Sequence, residues 1–213
     1  MIIVVAHTKG GVGKSTMAWN IATALNPTQN IEVIDLDFQK TLTYSNEYRD
    51  KPLIVKSFET LKEFKAYIKS DSDKRISIVD VGGFDSDINR MAMVMADLII
   101  TPVSDSKTEL LGLKRFEKIL EEISETIGEK LIVNILLNDI SPQKKNIDGL
   151  KEYINQKPLY KLFASVLKTR VAYEKALDEG LGVIEHNKDE KSIEEMKDFI
   201  SEVKQIIKEH ING

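Results

Sequence analysis

The sequence predicts an α/β protein in which a doubly wound, mostly parallel sheet is flanked by helices, in a single domain spanning residues 1–213. Three observations lead to this fold class. The chain has 213 residues, 42% of them hydrophobic and 30% charged, which is typical of one globular domain. Short apolar runs alternate with helical patterns from one end to the other. A glycine-rich turn follows the first apolar run, and a helical pattern follows that turn.

Five unbroken apolar runs, rich in leucine and β-branched residues, predict strands that are covered on both faces. Such strands belong to parallel sheets, in which helices pack on either side. The runs are IIVVA at 2–6, IEVID at 31–35, ISIVDV at 76–81, LIITPV at 98–103 and LIVNILLN at 131–138.

Candidate helices lie between these runs, and one of them is delimited at both ends. Ser106-x-x-Glu109 predicts a capping box at its start, and Gly128 follows its last periodic residue. Alternating strands and helices predict βαβ units. The candidate helices cover 15–25, 41–49, 58–69, 85–96, 106–127 and 145–155.

The last segment, 191–210, places apolar residues at spacings of three and four. Two interpretations fit this pattern: a helix packed on the sheet, or an amphipathic helix on a membrane surface. The polar face mixes glutamate with lysine and is not richly basic, which favours the packed helix.

The composition excludes several classes of protein. Because the chain has no cysteine, it forms no disulfide, no thiolate metal site and no cysteine-held iron–sulfur cluster. No run of 18 apolar residues is present, and the start MIIVVAH lacks the features of a signal peptide. We therefore expect a cytoplasmic protein.

The charge is unevenly distributed. The chain has a formal net charge of −4, yet segment 141–175 contains eight basic and three acidic residues, a local excess of five positive charges. This excess is typical either of a nucleic-acid footprint or of a solvated helical surface.

The glycine-rich turn HTKGGVGKST at 7–16 carries the clearest chemical signal. Glycines let backbone N–H groups point at phosphate oxygens, and the start of the following helix adds partial positive charge. In such a loop Lys14 lies along the β- and γ-phosphates, and the Ser15 hydroxyl binds Mg²⁺. The loop departs from the usual spacing, because Thr8 stands where the first glycine is expected and a second lysine, Lys9, follows it.

This loop resembles the deviant Walker A motif of the ParA/MinD superfamily of dimerising P-loop ATPases. The resemblance implies ATP and Mg²⁺ as cofactors and a homodimer that forms on ATP binding. It also implies that Lys14 serves the subunit's own ATP, whereas Lys9 reaches the nucleotide of the partner subunit. The predicted nucleotide-binding residues of the loop are Gly10, Gly11, Val12, Gly13, Lys14, Ser15 and Thr16.

Three aspartates end predicted parallel strands, where ligands of α/β proteins bind. By resemblance Asp37 orients the attacking water, Asp35 supports the magnesium shell, and Asp80 of the Walker B-like strand binds Mg²⁺ through water. Phe38 departs from the proline that is common in the family. The alternative for each aspartate is a strand-end residue that caps the next helix.

Two further stretches resemble the family. Asn138 stands where the family often contacts adenine, although a plain strand-end asparagine fits equally well. The stretch from Thr169 to Tyr173 resembles a C-terminal pattern whose arginine is tied to DNA binding in several members. The resemblance and the local charge together predict a DNA-binding surface of Arg170, Lys168, Lys144 and Lys145.

Within the superfamily the chain most resembles the small ParA proteins that partition plasmids or chromosomes, or position other cargo. These begin directly with the first strand, as this sequence does. The resemblance implies non-specific DNA binding by the ATP-bound dimer at the nucleoid, and a ParB-like or other cargo adaptor that stimulates slow hydrolysis. No stable membrane association is expected. A MinD-like membrane-associated ATPase and a metabolic P-loop enzyme are the alternatives.

Overall fold

The computed structural model of the chain describes residues 1–70, 75–83, 86–144 and 146–212, apart from the side chain of Lys107. These residues form one seven-stranded sheet, and every neighbouring pair of strands is parallel. The strands are β1 (Ile2–Val5), β2 (Ile31–Asp35), β3 (Ile54–Lys56), β4 (Ile76–Asp80), β5 (Leu98–Val103), β6 (Val133–Ile140) and β7 (Tyr160–Lys168).

Helices connect the strands and cover both faces of the sheet. The predicted α/β class with a parallel sheet is confirmed. The helices are α1 (Lys14–Leu25), α2 (Thr41–Glu47), α3 (Leu61–Lys69), α4 (Asp87–Val94), α5 (Lys107–Ile127), α6 (Asp148–Asn155), α7 (Val171–Asp178), α8 (Val183–His186) and α9 (Glu190–Asn212).

The strand order β3-β2-β4-β1-β5-β6-β7 places β1 near the centre, where the chain changes the direction in which it adds strands. At this point Val5 pairs with Asp80, and Asp80 pairs with Asp35 on the next strand. Ligands of open α/β sheets bind at such a reversal, beyond the carboxyl ends of the strands. The register therefore brings two predicted site carboxylates side by side.

Two hydrophobic layers hold the helices on the sheet. One contains Trp19 of α1 and Phe199 of α9, and the other contains Phe64 of α3 and Phe116 of α5, all fully buried. Burying a side chain of this size stabilises the fold by about 1.5–3 kcal/mol. The two layers fix α1 and α5 on opposite faces of β1, and both helices begin beside its carboxyl end.

The two edge strands, β3 and β7, were not predicted. Edge strands are partly exposed, so they lack the continuous apolar runs of the central strands. β7 also lies within the basic segment 141–175, where lysines interrupt the hydrophobic pattern. The five predicted strands are all present, with ends shifted by at most two residues.

The C-terminal helix α9 packs on the sheet through one apolar face, as predicted. Met196, Phe199, Val203 and Ile207 of this helix are buried in the same layer as Trp19. Within the described part of the chain, no helix combines the length and the hydropathy needed to cross a membrane.

The predicted capping box at the start of α5 is wrong. Ser106 is the N-cap residue, but its side chain makes no capping hydrogen bond. The Glu109 carboxylate turns instead toward Lys9, 2.8 Å from its Nζ. A full positive charge is a stronger partner for this carboxylate than the backbone N–H of the cap.

Candidate functional site

The loop between β1 and α1 adopts a conformation that depends on glycine. Gly11 has φ +74° and Gly13 has φ +89°, in the left-handed region that side chains disfavour. A Cβ atom on Gly13 would lie 2.7 Å from Nδ2 of Asn138. The loop is therefore shaped by its glycines and packed against the end of β6.

Asn138 fastens this loop through a direct hydrogen bond. Its Nδ2 donates to the carbonyl oxygen of Val12 at 2.9 Å. Asn138 also lines a shallow pocket beside the loop, together with Gly11, Arg170 and Tyr173. The contact with adenine predicted for Asn138 remains a prediction, and the structure gives this side chain a second role in holding the loop.

Lys14 lies inside the loop rather than in solvent. It is 8% exposed, and its Nζ donates to the carbonyl oxygen of Lys9 at 3.2 Å. Burial lowers the pKa of Lys14, while the nearby charges of Asp80, Asp37 and Glu109 oppose this shift. A buried cation surrounded by backbone N–H groups is suited to a polyanionic ligand.

Asp80 is fully buried at the end of β4, and its oxygens have no closely aligned hydrogen-bond partner among the described residues, although the Ser15 hydroxyl lies near enough to act on the carboxylate. Burial raises the pKa of Asp80 to about 7; the Ser15 hydroxyl lowers it, Asp35 raises it further and Lys14 lowers it. Buried carboxylates without donors are unusual and call for a partner. Ser15, whose hydroxyl acts on this carboxylate, lines the neighbouring cleft, from which a cation could approach.

The two carboxylate oxygens of Asp35 differ in their hydrogen bonding. Its Oδ2 accepts hydrogen bonds from the backbone N–H and the hydroxyl of Thr43, both at 2.9 Å, in the first turn of α2. This is the helix-capping role considered as the alternative for the aspartates. Its Oδ1 is buried and has no hydrogen-bond partner among the described residues, so one oxygen stays available for a magnesium shell.

Asp37 stands at the mouth of the cleft. Its Oδ1 accepts the backbone N–H of Gln39 at 2.9 Å, and a Cβ atom on Gly82 would lie 3.3 Å from its Oδ2. One cleft is lined by the loop glycines, Lys14, Ser15 and Asp37. Phe38 also lines this cleft and is 85% exposed, so the residue that departs from the family pattern is a large apolar group at the entrance.

The residues around Asp80 fit Mg²⁺ when phosphate is present. Over the residues that the structure describes, no three His, Asp or Glu side chains are placed to hold a metal on their own. Mg²⁺ typically takes only one or two protein ligands and completes its shell with water and phosphate oxygens. The Ser15 hydroxyl in the cleft and the unpaired oxygens of Asp80 and Asp35 match this requirement.

The side chain of Lys9 has different surroundings from that of Lys14. Its Nζ donates to Glu109 at 2.8 Å, to Thr108 at 3.2 Å and, more weakly, to Ser106 at 3.5 Å, all at the start of α5. Its side chain is 36% exposed. The two lysines thus belong to two different surroundings, one inside the loop and one on the outer surface against α5.

Sequence reasoning missed Glu109 as a site residue. Burial raises the pKa of Glu109, but His7 and Lys9 outweigh this effect and hold the pKa below its usual value. The only signal in the sequence was the pattern Ser106-x-x-Glu109, which indicated a helix cap. A contact across 100 residues leaves no local pattern.

Several of the predicted DNA-binding residues interact with acidic residues of the same chain. Arg170 pairs with Glu195 at 2.6 Å, which raises the pKa of Arg170, and Lys144 pairs with Asp105 at 3.0 Å. The backbone N–H of Lys168 also donates to Glu195. Lys145 lies outside the described residues. The two ion pairs neutralise part of the local positive charge with acidic residues from outside segment 141–175.

Comparison with known proteins identifies the family. The chain matches the family described as CbiA, the CobQ/CobB/MinD/ParA nucleotide binding domain, over residues 3–184. The chain belongs to this family. The seven-stranded parallel sheet with helices on both faces is the P-loop fold of its ParA/MinD members, as predicted.

Individual relatives in this family are distant in sequence. The chain is 28% identical to Protein ParA of Rhizobium radiobacter over 146 residues, which are 66% of this chain and 65% of that protein, slightly under two thirds of its length. It is 24% identical to Maintenance of carboxysome distribution protein A of Halothiobacillus neapolitanus over 190 residues, 86% of each protein. A plasmid partition protein of Borrelia burgdorferi B31 bound to AMPPNP shares the fold, with a TM-score of 0.67, 20% identity, and coverage of 95% of this chain and 97% of that chain.

Proposed function

We propose that this chain is an ATPase that dimerises on binding Mg·ATP and uses this cycle to partition DNA or position another cargo. The observation that carries the proposal is the separation of the two lysines. Lys14 is buried in its own loop, whereas Lys9 lies outside the cleft with its ammonium partly in solvent. A phosphate loop needs one lysine for its own nucleotide, so the second is available to a partner subunit.

The loop residues bind and orient the triphosphate. The backbone N–H groups of Gly10 to Thr16 and the start of α1 face the phosphates, and Lys14 neutralises charge on the β- and γ-phosphates. Ser15 and, through water, Asp80 would hold Mg²⁺, which would supply further positive charge at the phosphates. Asp35 supports this shell through its unpaired oxygen.

Asp37 orients the attacking water at the entrance of the cleft. Gly82 and Gly83 line the same cleft and would let a backbone N–H approach the terminal phosphate. Lys9 of the partner subunit adds a cation to the same phosphates, so ATP joins the two subunits and its hydrolysis releases them. Phosphate charge that is buried at an interface requires such compensation.

DNA binding by the dimer is the second part of the proposal. Arg170, Lys168, Lys144 and Lys145 would contact phosphates, and pairing would double this set. Phosphate contacts carry little sequence information, so we expect affinity for DNA of any sequence. The structural neighbour described as a plasmid partition protein and the relative named for carboxysome distribution support a role in positioning, for which we propose a ParB-like or other adaptor as partner.

The DNA step is tested by fluorescence anisotropy with two unrelated duplexes. We expect salt-sensitive binding with Mg·ATP and little with ADP, because only the dimer presents both basic sets. Arg170→Glu should weaken binding about tenfold or more on both duplexes, since it reverses a charge. Arg90→Glu, a charge reversal on α4, is the matched control and should bind as wild type does. Equal binding with ATP and ADP, or wild-type binding by Arg170→Glu, would contradict the DNA proposal.

The MinD-like alternative predicts binding to anionic vesicles with ATP. The helix that this alternative needs, α9, has its apolar face buried in the core, and only Ile211 among its large apolar side chains is described as well exposed. We therefore expect no sedimentation with vesicles of mixed anionic and neutral phospholipids. ATP-dependent sedimentation would favour the alternative over DNA-based positioning.

A further inference from the structure

A cluster of His7, Lys9 and Glu109 joins the front of the phosphate loop to the first turn of α5. Thr8 lies within the same contact, because its hydroxyl donates to the carbonyl oxygen of Gly112 at 3.2 Å. A Cβ atom on Gly112 would lie 3.1 Å from Cε1 of His7. The phosphate loop and the start of α5 are therefore in close contact next to Lys9.

The carboxylate of Glu109 is buried, and each of its oxygens has a polar neighbour. Its Oε1 lies 2.9 Å from Nε2 of His7, and its Oε2 accepts the hydroxyl of Ser104 at 3.1 Å. His7 Nδ1 accepts the backbone N–H of Lys9, so the neutral ring carries its proton on Nε2, toward Glu109. The ring is held in turn by stacking on Phe116. Glu109 is thus a rigid anionic acceptor.

Lys9 is the movable member of the cluster. Its ammonium is partly exposed and makes three contacts, all to side chains at the start of its own α5. A lysine side chain has a flexible stem of four carbons, so its ammonium can move to a new partner while the backbone stays in place. Once Lys9 leaves, Ser104 and His7 remain beside Glu109, so the buried carboxylate keeps polar neighbours.

We propose that Glu109 is a positioning residue that holds Lys9 on its own subunit until pairing, so that ATP-driven pairing must first break this contact. The proposal rests on the proposed function, in which Lys9 acts on the partner's nucleotide. A triphosphate with Mg²⁺ offers more negative charge than one carboxylate, so Lys9 exchanges Glu109 for the phosphates when two loaded subunits meet. Glu109 thereby sets the ATP concentration at which pairs form.

The experiment measures pairing of the full chain against ATP concentration, by sedimentation velocity with Mg·ATP. Glu109→Gln removes the charge and keeps the shape of the side chain. We expect its half-saturating ATP concentration to fall roughly three- to tenfold, the effect of losing one partly exposed charge-assisted contact. Affinity for ADP, which is bound without pairing, should not change, and this readout separates positioning of Lys9 from a general effect on the loop.

Lys9→Ala provides the internal check, because Glu109 acts only through Lys9. Lys9→Ala is expected not to pair, and in this background we expect Glu109→Gln to leave the chain unpaired at every ATP concentration. Glu117→Gln is the matched control, since Glu117 lies on the same helix and also pairs with a lysine, Lys157, away from the loop. It should pair as wild type does.

Thr108→Val keeps the test decisive if Glu109→Gln does not fold. Thr108 is exposed, and its hydroxyl lies 3.2 Å from the Lys9 ammonium and 3.1 Å from the Ser106 hydroxyl. Its removal should shift pairing in the same direction, about twofold. The proposal is overturned if Glu109→Gln pairs no better than wild type while Lys9→Ala fails to pair. If Glu109→Gln is unfolded, the same result for Thr108→Val overturns it. Normal pairing of Lys9→Ala would instead overturn the proposed function itself.

Discussion

At the scale of single residues, Asp80 shows how the fold prepares a site at the expense of its own stability. Its position at the end of β4 follows from an apolar strand that is buried on both faces. The same burial leaves both carboxylate oxygens without a closely aligned donor among the described residues and raises the pKa to about 7. A strand-end aspartate was predicted from the sequence, but the absence of donors around it depends on how three strands and a loop meet.

The raised pKa of Asp80 predicts how the stability of the nucleotide-free protein depends on pH. Between the pKa of the unfolded carboxyl, about 4, and that of the folded protein, about 7, the folded state binds more protons than the unfolded state. Stability from this group is therefore fully present at low pH and is lost as the pH rises toward 7, by an amount on the order of a few kcal/mol. We expect wild type to lose stability between pH 5 and pH 8.

Asp80→Asn should show a flatter pH dependence and higher stability than wild type at pH 8. The measurement is urea unfolding at the two pH values, in EDTA and without nucleotide. Asp198→Asn, an exposed substitution on α9, is the control and should keep the wild-type dependence. If the free energy of unfolding changed with pH equally in wild type and Asp80→Asn, the prediction would be contradicted, because the pKa of Asp80 would then be the same in the folded and unfolded protein.

At the scale of elements, the sequence predicted the strand, loop and helix around Lys14 because each has a local signal: an apolar run, clustered glycines and a helical pattern. It failed at the start of α5, where Ser106 and Glu109 matched a capping pattern and the partner of Glu109 lies 100 residues away in the chain. It also failed at the edge strands, whose half-exposed residues follow no continuous apolar run. Local periodicity determines elements, whereas contacts between loops depend on the assembled sheet.

The conformation of the loop between β1 and α1 predicts how two glycine substitutions change the stability of the protein. Gly13→Ala should destabilise the nucleotide-free protein by about 1–3 kcal/mol, because a side chain at φ +89° is strained and its Cβ meets Asn138. Gly10→Ala is the control, since no atom lies within 4 Å of its added Cβ and its φ is not positive. It should change stability by less than about 0.5 kcal/mol.

Urea unfolding of both variants measures these effects. The contact with Asn138 is isolated by a double variant, in which Asn138→Ala should reduce the destabilisation of Gly13→Ala without removing the part due to backbone strain. Equal destabilisation by Gly10→Ala and Gly13→Ala would contradict the conformation assigned to the loop.

At the scale of the whole molecule, the charge pattern is only partly visible in the sequence. Segment 141–175 carries five excess positive charges, yet Arg170 and Lys144 are paired with Glu195 and Asp105 from other parts of the chain. A count along the sequence therefore overstates the free charge of this surface. The family and its sheet followed from one loop and from alternating elements, because both properties are local. The proposed pairing of two subunits would depend on a surface that no single motif encodes.

The central claim is that Lys9 of each subunit serves the nucleotide of the other, and mixing two inactive variants tests it most directly. Lys9→Ala keeps its own Asp37 but offers no lysine, whereas Asp37→Ala offers Lys9 but cannot orient water in its own site. Both retain Lys14 and should bind ATP. In a mixed pair the Lys9→Ala subunit has its own Asp37 and receives Lys9 from its partner.

The measurement is the steady-state rate of phosphate release from an equal mixture, with each variant alone as the control. We expect both variants to be nearly inactive alone and their mixture to recover a clear fraction of wild-type activity, about a quarter where half of the pairs are mixed, because each mixed pair has one working site. A mixture that stays as inactive as its components, although sedimentation shows mixed pairs, would mean that Lys9 serves its own subunit and would contradict the account.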